Sequence, residues 1–283
     1  MPTAEGIVRV GTSGWSYPTG EGRWTGVVYP PGTKSELGYY ATQLFNTVEV
    51  NVSFYRLIPP ATARGWARIT PPGFEFAVKA WQKFTHPKMH AKAAGKVEEV
   101  TRADLDQFRA GLTPLAEAGK LGAVLLQFPP SFGASTRNVE SLGMLLGALA
   151  DYPLAVELRH RSWSHRKGET RGLLEANRAS WVVIDEPKFP SSIRQEVEPL
   201  SGMLYLRFHG RNAAKWWKHE RTEERYDYLY GEAELRPFAE KITKTLAEAK
   251  IRRVYAFFNN HARGQAVQNA QMMMGLLGEA HTP

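Results

Sequence analysis

The chain has 283 residues, of which 43% are hydrophobic and 23% charged, with no cysteine and a formal net charge of +8. That length and apolar content suit one soluble globular domain, near the roughly 250 residues of a large barrel. Without cysteine there are no disulfides, thiolate metal sites or thiol nucleophiles; the positive charge suits an anionic small molecule or nucleic acid as partner, and equally a solvated basic surface.

Taken in order, the N-terminal Met-Pro-Thr-Ala-Glu-Gly lacks a basic-then-apolar leader, and no apolar run reaches membrane length. A cytoplasmic protein with no membrane partner is expected. Ile7–Val10 reads as a strand running into Gly11-Thr-Ser-Gly-Trp15, and Ser35–Phe45 as a helix. Thr47–Tyr55 alternates, with Val48, Val50 and Val52 opposite Glu49, Asn51 and Ser53, which predicts a strand. A short helix over Ala61–Ile69 and a strand over Phe74–Ala80 follow. Thr101–Ala118 reads as a helix capped by Thr101, with Asp104 in its first turn. Val124–Phe128 is a strand, Ser135–Ala150 a helix, Ala155–His160 a strand, Arg171–Arg178 a weaker helix and Trp181–Ile184 a strand. Glu186–Gly202 reads as loop, so the helix after strand six is reduced or missing. Leu204–Asn212 is the seventh strand, alternating as if half-buried and ending in charge; a helix over Glu232–Ala249, a strand over Val254–Phe258 and a helix over Gly264–Leu277 complete the chain.

Eight strands alternating with helices imply parallel pairing. A single TIM-type (β/α)8 barrel over residues 1–283, with its core at about 7–277, is the simplest closure. The alternative is an open doubly wound sheet, but Gly11-Thr-Ser-Gly14 lacks the three-glycine phosphate fingerprint that usually follows its first strand.

Barrel active sites lie at the C-terminal strand ends. Those ends carry Ser13 and Trp15, Glu49 and Asn51, Lys79, Gln127, Glu157 with Arg159 and His160, Asp185, Arg207 with His209, and Asn259 with His261. Residues two apart on a strand share a face, so four such pairs should point together. His209 and His261 are candidates for proton transfer, Glu49 and Glu157 for base or metal ligand, and Lys79, Arg159, Arg207 and Arg211 for charge stabilisation. Trp15, Asn51, Gln127 and Asn259 would contact substrate. Glu157 and Arg159 could equally form a structural ion pair, and Asp185 could cap the next turn. The carboxylates and histidines have the ligand chemistry for a divalent metal, but no compact His-Glu-x-x-His motif accompanies them, so no metal is assigned. Paired Glu49 and Glu157 also fit a glycosidase-like hydrolase.

Two loops could meet an anion. Lys79–Lys96 carries Lys79, Lys83, Lys88, Lys92 and Lys96 with no acid before Glu98, a pattern that suits phosphates or a non-catalytic nucleic-acid binder. Arg211–Gly231 sets Trp216 and Trp217 among charges that nearly cancel; it could stack bases, or be a lid packed by its own aromatics.

Together, Gly-Thr-Ser-Gly-Trp (11–15), Val-Glu-Val-Asn-x-x-Phe-Tyr-Arg (48–56), Phe-Ala-Val-Lys-Ala (76–80), Leu-Leu-Gln-Phe-Pro-Pro (125–130), Val-Glu-Leu-Arg-His (156–160), Leu-Arg-Phe-His-Gly-Arg (206–211) and Phe-Asn-Asn-His (258–261) resemble the YecE-like family, domain of unknown function 72. No single motif is specific; their order and number carry the resemblance, from about Ile7 to Leu277. It implies a TIM-type barrel and supplies no activity. The reading favoured by the residues is an enzyme acting on an anionic phosphate-bearing substrate, with metal-assisted hydrolysis as one form of that chemistry.

Overall fold

The computed structural model describes residues 6–20, 22–248 and 251–280. Its strands are β1 (Ile7–Thr12), β2 (Thr47–Val50), β3 (Glu75–Lys79), β4 (Leu121–Gln127), β5 (Leu154–Glu157), β6 (Ala179–Trp181), β7 (Val183–Asp185), β8 (Met203–Phe208) and β9 (Arg253–Phe258). They form a four-stranded sheet in the order β1-β9-β8-β7 and a five-stranded sheet in the order β2-β3-β4-β5-β6. The pairs β1–β9, β8–β9, β7–β8, β3–β4, β4–β5 and β5–β6 are all parallel. The helices are α1 (Glu36–Tyr39), α2 (Val52–Tyr55), α3 (Pro60–Ile69), α4 (Gln82–Thr85), α5 (Pro87–Ala94), α6 (Arg102–Glu117), α7 (Thr136–Ala148), α8 (Arg161–His165), α9 (Lys167–Ala176), α10 (Glu232–Ala247) and α11 (Gln265–Ala280). The chain falls into two compact units, one of Met1–Val48, Val182–Phe189 and Gln195–Pro283, the other of Glu49–Trp181 and Pro190–Arg194.

Several boundaries differ from the sequence reading. The strand expected over Thr47–Tyr55 stops at Val50; Asn51 turns into the right-handed region (φ −91°, ψ −23°) and Val52–Tyr55 becomes helical. Ser53 holds that turn by donating to Val50 O (2.9 Å) and Lys79 O (2.6 Å), so a hydroxyl overrides the β-pattern. The expected sixth strand is two, β6 and β7, broken at Val182. The lysine-rich stretch, read as loop, contains α4 and α5. Among the described residues Glu186–Gly202 holds no helix, as expected; Ala249, the expected end of α10, and Met1–Glu5 lie outside them.

All six residues of β8 are buried, so this strand is covered on both faces rather than half-buried. Alternation there separates two packed layers, not core from water. Helix α6 begins as expected: Thr101 Oγ1 accepts from Asp104 N, and Asp104 Oδ2 accepts from Thr101 N at 2.7 Å. In the first unit the strands approach closely at Gly11, where a Cβ would lie 2.4 Å from Thr47 O and 3.1 Å from Tyr40 Oη, so no larger residue fits. The Tyr40 hydroxyl fills that space, accepting from Thr12 N (2.9 Å) and donating to Thr47 O (3.2 Å).

Candidate functional site

Each unit gathers polar residues at the C-terminal ends of its own strands. In the second unit, Glu49 on β2 and Glu157 at the end of β5 are fully buried. A buried carboxylate is costly without a charge partner, and Arg159 supplies one: its Nε donates to Glu157 Oε1 at 2.6 Å. The pair expected to share a face therefore does meet, although β5 ends at Glu157. Gln127 ends β4 in register with Glu157. Lys79 ends β3, its ammonium 4.1 Å from the centre of the Phe54 ring. Glu49 and Asn51 do not share a strand face, because Asn51 lies past the end of β2; the buried Asn51 Oδ1 has no hydrogen-bond partner among the described residues.

His86, which connects α4 to α5, joins this set. Its ring packs edge-on to Phe54 (4.9 Å, 88°), and its Nδ1 pairs with Thr85 Oγ1 at 2.9 Å. Burial lowers its pKa to about 3, with Lys79 and Arg159 adding to the effect and Glu157 opposing it. The imidazole is therefore neutral beside two cations and a carboxylate. In the sequence His86 stands among the basic residues of the Lys79–Lys96 stretch. Only the fold separates it from Lys88, Lys92 and Lys96, which are exposed. Lys83 leaves the expected basic patch altogether: it is buried, 2.9 Å from Asp104 Oδ2 and 3.2 Å from Glu98 Oε2.

In the first unit, β8 and β9 place Arg207 (1% exposed), His209 (0%) and Asn259 (8%) together. Arg207 Nη1 lies 3.4 Å from His209 Nε2, and the Asn259 amide lies 3.0 Å from His209 Nδ1. Arginine cannot accept, so its contact with a neutral ring needs Nε2 as the acceptor. Both ring nitrogens are thus engaged, which disfavours His209 as a proton shuttle in this state. Asn259 and His261 diverge despite their spacing, because both lie beyond the end of β9. His261 instead stacks on Tyr17 (4.4 Å, 11°) and leans on Tyr226 (5.3 Å), and its carbonyl accepts from Trp24 Nε1. Trp15 is half-buried, with its carbonyl accepting from the Tyr29 hydroxyl.

Asp185 ends β7 within a buried network. Arg211 donates to both of its oxygens (2.8 and 2.7 Å), Tyr230 donates to Oδ1 (2.8 Å), and Arg211 also reaches Glu234 (3.0 Å). Burial followed by the Glu234 contact pushes the Tyr228 hydroxyl up to about 12. Gly210, with φ +84°, admits this arrangement: a Cβ there would lie 2.8 Å from Tyr228 Cβ. Arg211 is thus committed to protein carboxylates. The Arg211–Gly231 segment is packed by its own aromatics and ion pairs, including Lys215–Glu224 (2.9 Å) and Arg225 beside Trp216, Trp217 and Tyr226.

Among the described residues no group of three or more His, Asp or Glu side chains could hold a metal ion, and no helix is long and apolar enough to cross a membrane.

These features define a class: an α/β protein of parallel strands whose C-terminal ends carry buried ionisable groups. The family described as "Protein of unknown function DUF72" matches residues 9–283, and the chain belongs to it. The UPF0759 protein YunF of Bacillus subtilis (strain 168) is 31% identical over 284 residues, covering 96% of this chain and 95% of that one. Among solved structures, a DUF72 family protein (TM1631) from Thermotoga maritima MSB8 is 37% identical with a TM-score of 0.80, covering 96% of this chain and 99% of that one. Another (EF0366), from Enterococcus faecalis V583, is 26% identical with a TM-score of 0.81, covering 96% of both.

Proposed function

We propose that this protein is an enzyme acting on an anionic, phosphate-bearing substrate, and that the substrate's charge is met by Lys79 and Arg159. The observation that carries this reading is His86, packed edge-on against the Phe54 ring that Lys79 also faces, and kept neutral first by burial and then by the charges of Lys79 and Arg159, with Glu157 opposing them. Fixed cations at a buried site are a means of stabilising charge in phosphoryl chemistry. The Asn51 Oδ1 atom, buried and unpartnered among the described residues, supports a ligand or water donating there. Glu49 and Glu157 are the carboxylates this reading assigns to base duty, with the neutral His86 ring as a hydrogen-bonding partner for the substrate. The finer fold in this reading is a single (β/α)8 barrel over the whole chain, supported by the close approach of Gly11 to Thr47. The location proposed is the cytoplasm.

Thermal shift with pyrophosphate, a mononucleotide, single-stranded DNA and a neutral sugar, in wild type, Lys79→Met and Arg159→Met, tests the reading. Ligand at 100 times Kd stabilises by about 2.7 kcal/mol, so phosphate ligands should raise Tm in the wild type and not in the variants. Stabilisation by DNA that survives both substitutions and fades with salt points instead to a surface binder. Stabilisation by the neutral sugar with none by any phosphate removes the anion reading.

A further inference from the structure

A cavity of about 310 Å³ in the first unit is lined by Asp185, Glu186, Pro187, Lys188, Phe189, Arg211 and Ala213. Two features set it apart from ordinary surface. Its charged lining is balanced, with two carboxylates against one ammonium and one guanidinium, and Arg211 is already bound to Asp185 through both nitrogens. An incoming phosphate would therefore meet two carboxylates without surplus positive charge to offset them. Beside this lining stands an aromatic wall: Phe189 packs against Trp217 with ring centres 5.7 Å apart, and Trp217 remains 56% exposed. Arg225 braces that indole, 5.9 Å from its ring. An exposed, braced tryptophan offers a flat apolar face that a ligand can cover.

We propose that this cavity binds a neutral sugar ring, with one face of the sugar against Trp217 and Phe189 and its hydroxyls at Glu186 and Lys188. Hydroxyls both donate and accept, so they use carboxylates and ammonium alike, where an anion or a cation could use only half of the lining. The volume sits at the lower end of the ~300–1,000 Å³ typical of ligand pockets and fits one or two rings rather than a polymer. A free or glycosidic sugar and the ribose of a nucleoside share this chemistry. The inference stands on the first unit alone and goes beyond the anion site at β3 and β5, so either can fail without the other.

Isothermal calorimetry on the full chain with methyl glucoside, maltose, adenosine and glucose 6-phosphate tests it. At least one neutral compound should bind, and Trp217→Ala should weaken that binding about tenfold. Lys188→Met, at an exposed position, should weaken it by a smaller factor. Response to maltose or methyl glucoside assigns the sugar source, and response to adenosine alone assigns a nucleoside. No binding of any neutral compound at millimolar concentration, affinity unchanged in Trp217→Ala, or tighter binding of glucose 6-phosphate than of methyl glucoside would overturn the proposal.

Discussion

His86 offers a direct check on the electrostatics of the strand ends in the second unit. Its folded pKa lies at about 3, lowered from 6.5 first by burial and then by Lys79 and Arg159. Between these values the unfolded ring binds a proton that the folded ring refuses. The unfolded state therefore holds more protons, and stability falls as pH drops from 6.5 towards 3. The cost is about 1.4 kcal/mol per pH unit across that window, or roughly 2–3 kcal/mol by pH 4.5, nearer 2 where solvent reaches the ring. Other carboxylates titrate in the same range, so the quantity of interest is a difference. Urea unfolding of wild type and His86→Gln at pH 7 and pH 4.5 gives it: the wild type should lose ~2 kcal/mol more than the variant on acidification. Pyrophosphate bound at Lys79 and Arg159 should shrink the gap, because it cancels part of the field that keeps the ring neutral. Equal losses in both proteins without ligand would refute the charge placement around His86.

Two further predictions concern the frame. Lys120 is 8% exposed, and its ammonium donates to Ala67 O (2.8 Å), Thr70 O (2.6 Å), Thr70 Oγ1 (2.8 Å) and Pro71 O (2.9 Å), holding the C-terminal end of α3. Lys120→Met should cost ~2–4 kcal/mol, since the carbonyls it leaves outweigh the relief of desolvating the amine; an unchanged urea midpoint would show that the anchor is not needed. Gly11→Ala forces a Cβ to 2.4 Å from Thr47 O, a backbone atom that cannot swing away. It should cost at least ~3 kcal/mol, read as a large fall in Tm, and a Tm within about 2 °C of wild type would contradict the close approach.

What the sequence disclosed follows from the range of the forces involved. Strand and helix positions were legible because burial writes period two or 3.6 into the chain, and Thr101 with Asp104 announced the start of α6 three residues apart. The ends of elements were less legible. At Asn51 the alternation continues in the letters while the backbone turns helical, held by Ser53 bonding to Lys79 O, a contact 26 residues away. The same blindness explains the same-face pairs. Glu157 with Arg159 and Arg207 with His209 meet; Asn259 and His261 part because both fall beyond β9. Lys83 and Lys88 look alike in a basic stretch, yet one is paired with Asp104 and Glu98 inside the protein and the other faces water.

Each set of strand-end residues combines closed bonding with buried atoms that have no partner among the described residues. Around Asp185 the donors and acceptors satisfy one another: Arg211, Tyr230, Glu234 and Tyr228 close a network in which each group fixes the next. A closed network of this kind rigidifies its surroundings and has little to offer a ligand in its interior. His209 is held in the same way between Arg207 and Asn259. Past the end of β2 one buried atom stands without such a partner. Asn51 Oδ1 lacks a donor among the described residues, and His86 uses Nδ1 on Thr85, leaving Nε2 as the ring atom for a ligand. Buried polar atoms without partners are rare because each costs ~1–3 kcal/mol; a ligand or ordered water supplying the missing donor recovers that cost on binding. Both units keep such atoms, Asn51 Oδ1 in the second and Ser13 Oγ and Asn260 Oδ1 in the first, so a donor supplied by a ligand or an ordered water would recover that cost in either.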